Sequence, residues 1–433
     1  MEVQRHETNC SHIHSFRGLI NPLFISASAD AGAFFRENSM KQLQPSFTAA
    51  YSFVQASFWM SYCTAMSFAS VYLLGLGYTN SALGIVLAAG NLLGAALGTE
   101  LSSQIDRSES LTASRLILPL LALQGISVLL LFFRPVKAAY TVIFYTLYIC
   151  FTLAGNSLNL KLYSDALHHG CSIDYGFARG LGSAAYVLLS MLLGVIIEHT
   201  SIRSVSLSGI LMCLLQASAF ILMRSRLPAD ASSLVKSDQR GVSLPVFVRK
   251  NPSFSLLLGG IALLFFAHNI IVNFLINITR FVGGDTGTMG LINGFMAAME
   301  IPVLMLYQRL FSKKDPARLL RIAFVFFIVK GVAIALSRSI PTLMAAFLFQ
   351  APSFALEAAA IVPYVDQTIR YEDSAKAQSL AFTMTTVGSV LASMIGGLLY
   401  DRAGVAATLW VSCALCIAGS VVALIGTRKP QQR

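Results

Sequence analysis

A carboxylate, Glu300, stands in the stretch FMAAMEIPVLML with apolar side chains on both sides of it. Lys330 in AFVFFIVKGVAIAL, Glu357 in FALEAAAIVPY and His268 in FFAHNIIVNFLIN are embedded in the same way. Groups of these types take up and release protons. A charge that persists among hydrophobic residues needs a partner or a wet cavity. Glu300, Lys330, Glu357 and His268 therefore form a candidate proton-coupling set. A structural ion pair between Glu300 and Lys330 is the competing reading, and for the lone His268 a satisfied structural place. Three charges in one half of the chain exceed what a single neutral pair requires.

A second group could hold a polar ligand. Asn269, Asn273 and Asn277 recur every four residues, which on a straight helix stacks them along one face. Such an amide row either bonds a hydroxylated or amide-bearing molecule or glues helices together. Tyr51, Gln55, Trp59 and Tyr62 fall at spacings of four, four and three and form a stripe of aromatic and polar groups. The stripe is either a stacking platform or ordinary packing. Asn91, Asn156 and Asn159 are weaker candidates. Gly84, Gly90, Gly94 and Gly98 are expected to let helices approach closely.

The elements that carry these residues follow from composition. The chain is 55% hydrophobic and only 12% charged, with mean hydropathy +0.68, too apolar for one water-soluble core. Runs of about 20 apolar residues, the length that crosses a bilayer as a helix, fall at 47–76, 82–101, 114–133, 138–160, 175–198, 204–223, 254–279, 286–308, 318–337, 341–364, 375–400 and 405–426. The period-two alternation of a membrane barrel is absent. The expected fold is an all-α membrane protein of twelve transmembrane helices.

Positive charge sets the orientation. Arg224, Arg226, Lys236, Arg240, Arg249 and Lys250 lie between spans 6 and 7, and Arg309, Lys313, Lys314, Arg318 and Arg321 between spans 8 and 9. Loops of the other parity carry one or two basic residues each. Both termini are thus expected in the cytoplasm of a cell inner (plasma) membrane protein. The formal +11 is a topology signal, since no basic stretch is interleaved with exposed aromatics as a nucleic-acid surface would be. The seven cysteines sit at unrelated spacings, which argues against disulfides and zinc. Residues 1–39 are polar and are expected to form a disordered extension, with translation starting at Met1 or at Met40.

Internal repeats divide the chain. LGIVLAAGNLLGAALG and MGLINGFMAAMEIPVL superpose with Gly84 on Gly290, an offset of 290 − 84 = 206. SMLLGVIIEH and SMIGGLLYDR superpose with Gly194 on Gly397, an offset of 397 − 194 = 203. Spans 2 and 8, and spans 5 and 11, are therefore counterparts. Two six-helix bundles, 40–223 and 252–433, are expected around a linker at 224–251.

Twelve spans, a central basic loop and parallel halves resemble the major facilitator superfamily from about Met40 to the end. The run YGFARGLGSAAY is similar to the start of span 5 in the branch of lactose permease and its oligosaccharide, nucleoside and phenylpropionate relatives. That resemblance implies that Arg179 and Glu300 bind substrate, and Lys330 falls where the permease has an arginine. The permease's span-10 His and Glu correspond to Gln350 and Ser353, so its coupling residues are not carried over intact. The loop SSQIDRSES keeps the Asp106–Arg107 pair of the superfamily motif but has Ser102 where the motif has Gly.

No P-loop, H-E-x-x-H pair or G-x-S-x-G elbow occurs, so neither ATP-driven chemistry nor a hydrolase is expected. The expected function is secondary active transport, a proton-coupled import of a small polar solute of sugar, oligosaccharide or nucleoside type by alternating access. The expected substrate-binding residues are Arg179, Glu300, Asn269, Asn273, Trp59 and Gln55. No cofactor or metal is implied. Partners are the solute, protons and the lipid bilayer, and one chain is expected to suffice. Efflux of drugs or amphiphiles is the alternative within transporters; a non-transporting sensor or assembly factor would need a larger soluble part than 224–251 and the tail TRKPQQR provide.

Overall fold

The structure, a computed structural model, describes residues 45–108, 111–168, 171–226, 244–311 and 313–427. The extension 1–39, the alternative start at Met40, most of the 224–251 linker and the end of the tail lie outside the described residues. Every described element is helical. In a bilayer each backbone N–H and C=O must be satisfied within its own segment, and a helix does this without a neighbour.

Ten helices are long and apolar enough to cross a membrane. One of them, Tyr371–Gly426, contains Gly404 at φ 74°, where the chain turns, so it supplies spans 11 and 12. Span 1 is the remaining one, made of Pro45–Tyr62, a π-helical turn Cys63–Ser67 and the half-helix Ala69–Gly75. Spans 2 to 6 are Asn80–Arg107, Ala113–Phe133, Ala139–His168, Tyr175–His199 and Arg203–Arg224. Span 7 is Pro252–Val272 followed by the half-helix Leu275–Phe281, and spans 8 and 9 are Thr286–Phe311 and Pro316–Leu336. Span 10 begins as Ile340–Phe347, tightens over Leu348–Gln350, widens over Ala351–Ala355 and continues as Leu356–Thr368.

Side-chain oxygens cap several entries. Thr79 accepts from Ala82 N, Asp174 from Phe177 N, and Asp315 from Ala317 N with Pro316 at the first helical position.

The repeat is visible in the backbone. Spans 1 and 7 both break at a phenylalanine, Phe68 (φ −95°) and Phe274 (φ −117°), which lie 274 − 68 = 206 residues apart. Each break is followed by a seven-residue half-helix, and the two half-helices pack against each other. Across the boundary between bundles, span 5 also packs on span 8 and span 2 on span 11.

Glycine makes those seams possible, because helices in lipid are held by close contact and not by a hydrophobic drive. A Cβ on Gly84 would lie 2.0 Å from Ser393 O, and one on Gly397 would lie 2.3 Å from Asn80 O. On the other seam a Cβ at Gly290 would lie 2.5 Å from Ser190 O, and one at Gly194 would lie 2.9 Å from the Gly290 Cα. Gly90, Gly94 and Gly98 serve a different contact, against Ile149, Leu153 and Ser157 of span 4.

A carboxylate closes each seam at the face opposite the linker. Asp401, at the end of span 11, accepts from Asn80 N (3.0 Å), Asn80 Nδ2 (2.9 Å), Ser81 N (2.7 Å) and Ser81 Oγ (2.6 Å) at the start of span 2. Glu198, at the end of span 5, accepts from Thr286 N (3.0 Å) at the start of span 8. The carboxylates are 401 − 198 = 203 residues apart and their partners 286 − 80 = 206, the two offsets of the sequence repeat. Asn277 Nδ2 adds a 2.5 Å bond to Asn80 Oδ1 from span 7 to span 2.

The buried core has the same polarity. One apolar cluster draws on both bundles, with Tyr72, Leu73 and Leu193 beside Ile276, Met289 and Phe347. Toward the linker face each bundle has its own cluster, one around Tyr51, Leu121 and Phe220 and one around Phe247, Phe324 and Phe327. The bundles are thus joined at one face and separate at the other. At the linker face Asp106 pairs with Lys161 of span 4.

Candidate functional site

Between the bundles lies a cavity of about 330 Å³ whose walls mix polar and apolar side chains. The first bundle contributes Trp59 and Tyr62 from span 1, Asn91 from span 2, and Arg179, Ser183 and Tyr186 from span 5. The second contributes His268 and Asn269 from span 7, Glu300 from span 8, and Thr385, Thr386 and Ser389 from span 11.

Arg179 is placed by the glycine-rich run around it. A Cβ on Gly182 would lie 2.7 Å from Trp59 Cδ1, so span 5 presses directly on span 1. The Arg179 guanidinium then sits 3.8 Å from the centre of a Trp59 ring and donates to Ser183 Oγ at 2.6 Å. Stacking and donation together fix a planar cation at the cavity wall. Trp59 is held in turn from behind: its Nε1 donates to Gln55 Oε1 (3.2 Å), Gln55 Nε2 to Tyr51 Oη (2.7 Å), and Tyr51 Oη to the Asn159 carbonyl (3.2 Å). Gln55 and Tyr51 are buried and are not among the lining residues. Of the span-1 stripe, Trp59 and Tyr62 meet the cavity and the other two position Trp59.

In the second bundle Glu300 forms no direct ion pair with Lys330 or Arg179. Gln350 stands between Glu300 and Lys330. Its Nε2 donates to Glu300 Oε1 (2.8 Å) and its Oε1 accepts from Lys330 Nζ (3.0 Å). Lys330 is only 2% exposed, lies 3.5 Å from His268 Nδ1 and sits over the Phe327 ring. It is therefore a buried cation behind the wall, connected to the cavity through one amide. His268 spans the two layers, lining the cavity and touching Lys330.

The asparagine row divides at the break in span 7. Asn269 lines the cavity and donates to Phe265 O within its own helix (2.8 Å). Asn273 is not a lining residue; it donates to Ser393 Oγ of span 11 at 3.0 Å and joins two helices of one bundle. Asn277, beyond the break, joins the two bundles. One helical face was expected for all three, and the non-helical Phe274 prevents it. Glu357 is also apart from the others: it lines a second, apolar cavity between spans 10 and 11. Asp106 and Arg107 lie at the linker-face end of span 2, outside the cavity.

The far end of the cavity is sealed by a cross-bundle network. Asn293 Nδ2 donates to Tyr186 Oη and Ser190 Oγ, both at 2.9 Å, and Tyr186 Oη lies 2.6 Å from Ser67 Oγ. Sequence reasoning did not single out Gln350 as a bridge, nor Ser183, Tyr186, Thr385, Thr386 and Ser389. Their three- and four-residue spacings with Arg179 and with one another were the available signal. The geometry supplies a planar cation and a carboxylate contributed by different bundles, hydroxyls around them, and cross-bundle hydrogen bonds on the side away from the linker. Such a site can hold a polar solute and expose it to one side at a time.

Comparison with known proteins agrees with this layout. The nucleoside transporter NupG superposes with TM-score 0.69 at 14% identity, over 89% of this chain and 98% of that one. A bacterial homologue of the human drug peptide transporters PepT1 and PepT2 gives 0.62 at 11% identity, over 89% and 97%. A bacterial homologue of the lysosomal transporter Spinster, captured inward-facing and occupied, gives 0.61 at 12% identity, over 89% and 94%. These likenesses concern the fold. A Deinococcus radiodurans protein named as a sugar efflux transporter is 28% identical over 166 residues, which is 38% of this chain and 42% of that protein. The chain thus aligns with less than half the length of that curated relative. Residues 99–411 match the family described as MFS_1 like family, and on that match the chain belongs to this family of membrane transporters, not enzymes, within the major facilitator superfamily.

Proposed function

We propose that the chain imports a small polar solute, of sugar, oligosaccharide or nucleoside type, in exchange for the energy of a proton gradient. The observation that carries the reading is that Arg179 and Glu300 line one cavity from different bundles, with Gln350 linking Glu300 to the buried Lys330. In this reading both termini and the basic linker are cytoplasmic, and the cavity described above faces inward. The halves 40–223 and 252–433 rock about the 224–251 linker. One elementary charge crossing 100 mV supplies about 2.3 kcal/mol, enough for useful accumulation.

Glu300 takes a proton while the cavity faces out, and solute hydroxyls engage Arg179, Asn269 and the span-11 hydroxyls. After the bundles rock, Glu300 releases the proton inward and the Gln350 amide donates to the ionised carboxylate. Trp59 orients Arg179 through its ring, Gln55 orients Trp59, and Lys330 places a positive charge behind the Glu300 wall through Gln350, with His268 beside it. The nucleoside and sugar classes are supported by the functions in the names of NupG and of the Deinococcus radiodurans relative. That relative's name also supports the opposite direction, efflux, which the same site would serve with the gradient coupled in antiport.

The test is uptake of labelled uridine and lactose into proteoliposomes with and without an imposed inward-directed proton gradient. Gradient-dependent accumulation that Glu300→Gln abolishes, with solute exchange retained, is the expected result. Accumulation that ignores the gradient, or survives Glu300→Gln, would remove the coupling role.

A further inference from the structure

Glu357 occupies a place that the central cavity does not explain. It is 3% exposed, yet among the described residues no donor bonds its carboxylate and no cation pairs with it. Its side chain borders a separate cavity of about 230 Å³ lying between spans 10 and 11. The walls include Phe265, Phe354, Ile361, Val365 and Phe382, and among the described residues Glu357 is the one titratable group that lines it. The two other polar residues at its edge have partners: Gln378 Nε2 donates to Asp366 Oδ1 (2.9 Å) and Thr385 Oγ1 to Phe382 O (2.7 Å). His268 stacks on Phe354 with ring centres 4.9 Å apart but opens to the central cavity, and Lys330 lines neither.

Position along the helices puts this pocket on the way out. Span 11 starts at the linker face, so Gln378 and Phe382 lie nearer that face than Thr386 and Ser389 of the central cavity. The two cavities adjoin at Phe265, Phe354 and Thr385. Ala358 and Phe382 form an exposed rim.

An unpaired carboxylate in such a setting costs several kcal/mol as an anion. Two states relieve that cost: the neutral acid, or a carboxylate matched by a cation that brings its own apolar body. A metal ion is the wrong match, since hard cations need about six oxygens and this pocket presents one carboxylate. A sugar is equally wrong, for its hydroxyls would meet hydrocarbon. An aryl- or alkyl-ammonium satisfies both features, with charge on Glu357 and body against the three phenylalanine rings. Room is sufficient, because an apolar cavity of about 150 Å³ already accepts benzene.

We propose that this side pocket binds a lipophilic organic monocation with Glu357 as its counter-ion, and that binding expels one proton from the Glu357 carboxyl. The pocket is a separate site from the Arg179–Glu300 cavity, and the assignment stands whether or not solute movement there is proton-coupled.

The experiment is calorimetric titration of the purified full chain with phenethylammonium and with its uncharged counterpart, 2-phenylethanol. Wild-type protein should bind the ammonium saturably and release about one proton per ligand, read from the dependence of heat on buffer ionisation. Glu357→Gln should weaken ammonium binding at least tenfold and leave 2-phenylethanol unchanged. Ala358→Phe, which narrows the pocket from its rim and keeps the carboxylate, should weaken both ligands. Glu300→Gln should retain ammonium binding, which separates this result from any failure of the coupling reading. The proposal is overturned by absence of saturable ammonium binding, by equal binding to wild type and Glu357→Gln, or by loss confined to Glu300→Gln, which would place the cation in the central cavity.

Discussion

Asp401→Asn should open the face opposite the linker. Asp401 accepts four hydrogen bonds from Asn80 and Ser81 at the start of span 2, two of them from backbone N–H groups. Asparagine keeps one acceptor oxygen and turns an amide N–H₂ toward donors that the second oxygen served, so the charge and about half the contacts are lost. Solvent reaches this carboxylate and screens it, so each lost contact and the lost helix-terminus term are taken at about 0.3–1 kcal/mol. The three terms sum to about 1–3 kcal/mol, and the middle of that range, about 1.5–2 kcal/mol, is a 10- to 30-fold shift between closed and open forms. A cysteine at Ser389, which lines the central cavity, reports the shift through its rate of reaction with an impermeant maleimide added to intact cells. The six cysteines among the described residues are buried and give little background. The rate should rise 10- to 30-fold for Asp401→Asn and by a smaller factor for Glu198→Gln, because Glu198 accepts from Thr286 N alone and the amide oxygen can keep that one contact. An unchanged rate in a folded Asp401→Asn protein would refute the latch, and equal effects of the two substitutions would refute the counting of bonds behind the magnitude.

Gln350→Leu should lower stability by about 3 kcal/mol, because it leaves the buried Lys330 and the cavity-lining Glu300 without their shared partner; Lys330→Met in the same background should recover part of the loss in thermal unfolding. Arg179→Lys should weaken solute binding at least tenfold despite keeping the charge, since an ammonium loses the ring stacking on Trp59, and equilibrium binding checks this. Gly84→Ala places a carbon 2.0 Å from Ser393 O, against about 3.3 Å for a tolerated C···O contact, so it should speed the same maleimide reaction by forcing its seam apart. Asp285 accepts from Thr288 N and Oγ1, both at 2.7 Å, and the backbone donor first of all holds its carboxyl below the ordinary carboxylate range. Its contribution is present above that range and lost as pH falls through the lowered value, so the thermal-stability gap between wild type and Asp285→Ala should close on acidification.

The number and limits of the spans were legible because a bilayer demands long apolar runs, and the repeat offsets were legible because the seams demand glycine. The same alignment that matched Gly194 to Gly397 also sets Glu198 on Asp401, although the helix starts they bond could not be read from sequence. Depth in the membrane was readable for Glu300 and Lys330; direction around the helix was not. The turns at Leu348–Gln350 and Ala351–Ala355 re-aim span 10 and bring position 350 between those two charges. Reading Gln350 as a lost coupling residue therefore missed that it keeps a hydrogen-bonding place in the polar cluster. The asparagine row failed for a related reason: period four holds on a straight helix, and neither Gly nor Pro announces the break at Phe274. Glu357 was legible as an intramembrane charge, but its separation from Glu300 depends on which wall of span 10 faces which neighbour.

The Gln350 amide has two unlike ends, and only one way round suits a cation on one side and an anion on the other. With Glu300 ionised, turning the amide over would set N–H₂ against ammonium and carbonyl against carboxylate, so the side chain is locked by the signs of its neighbours. Once Glu300 is neutral, its hydroxyl can donate as well as accept, and only the Lys330 ammonium still fixes which way round the amide lies. A residue with no titratable group is thereby held by charge at both of its ends, like a compass needle between unlike poles, and a proton on the carboxylate would leave it held from the lysine side alone.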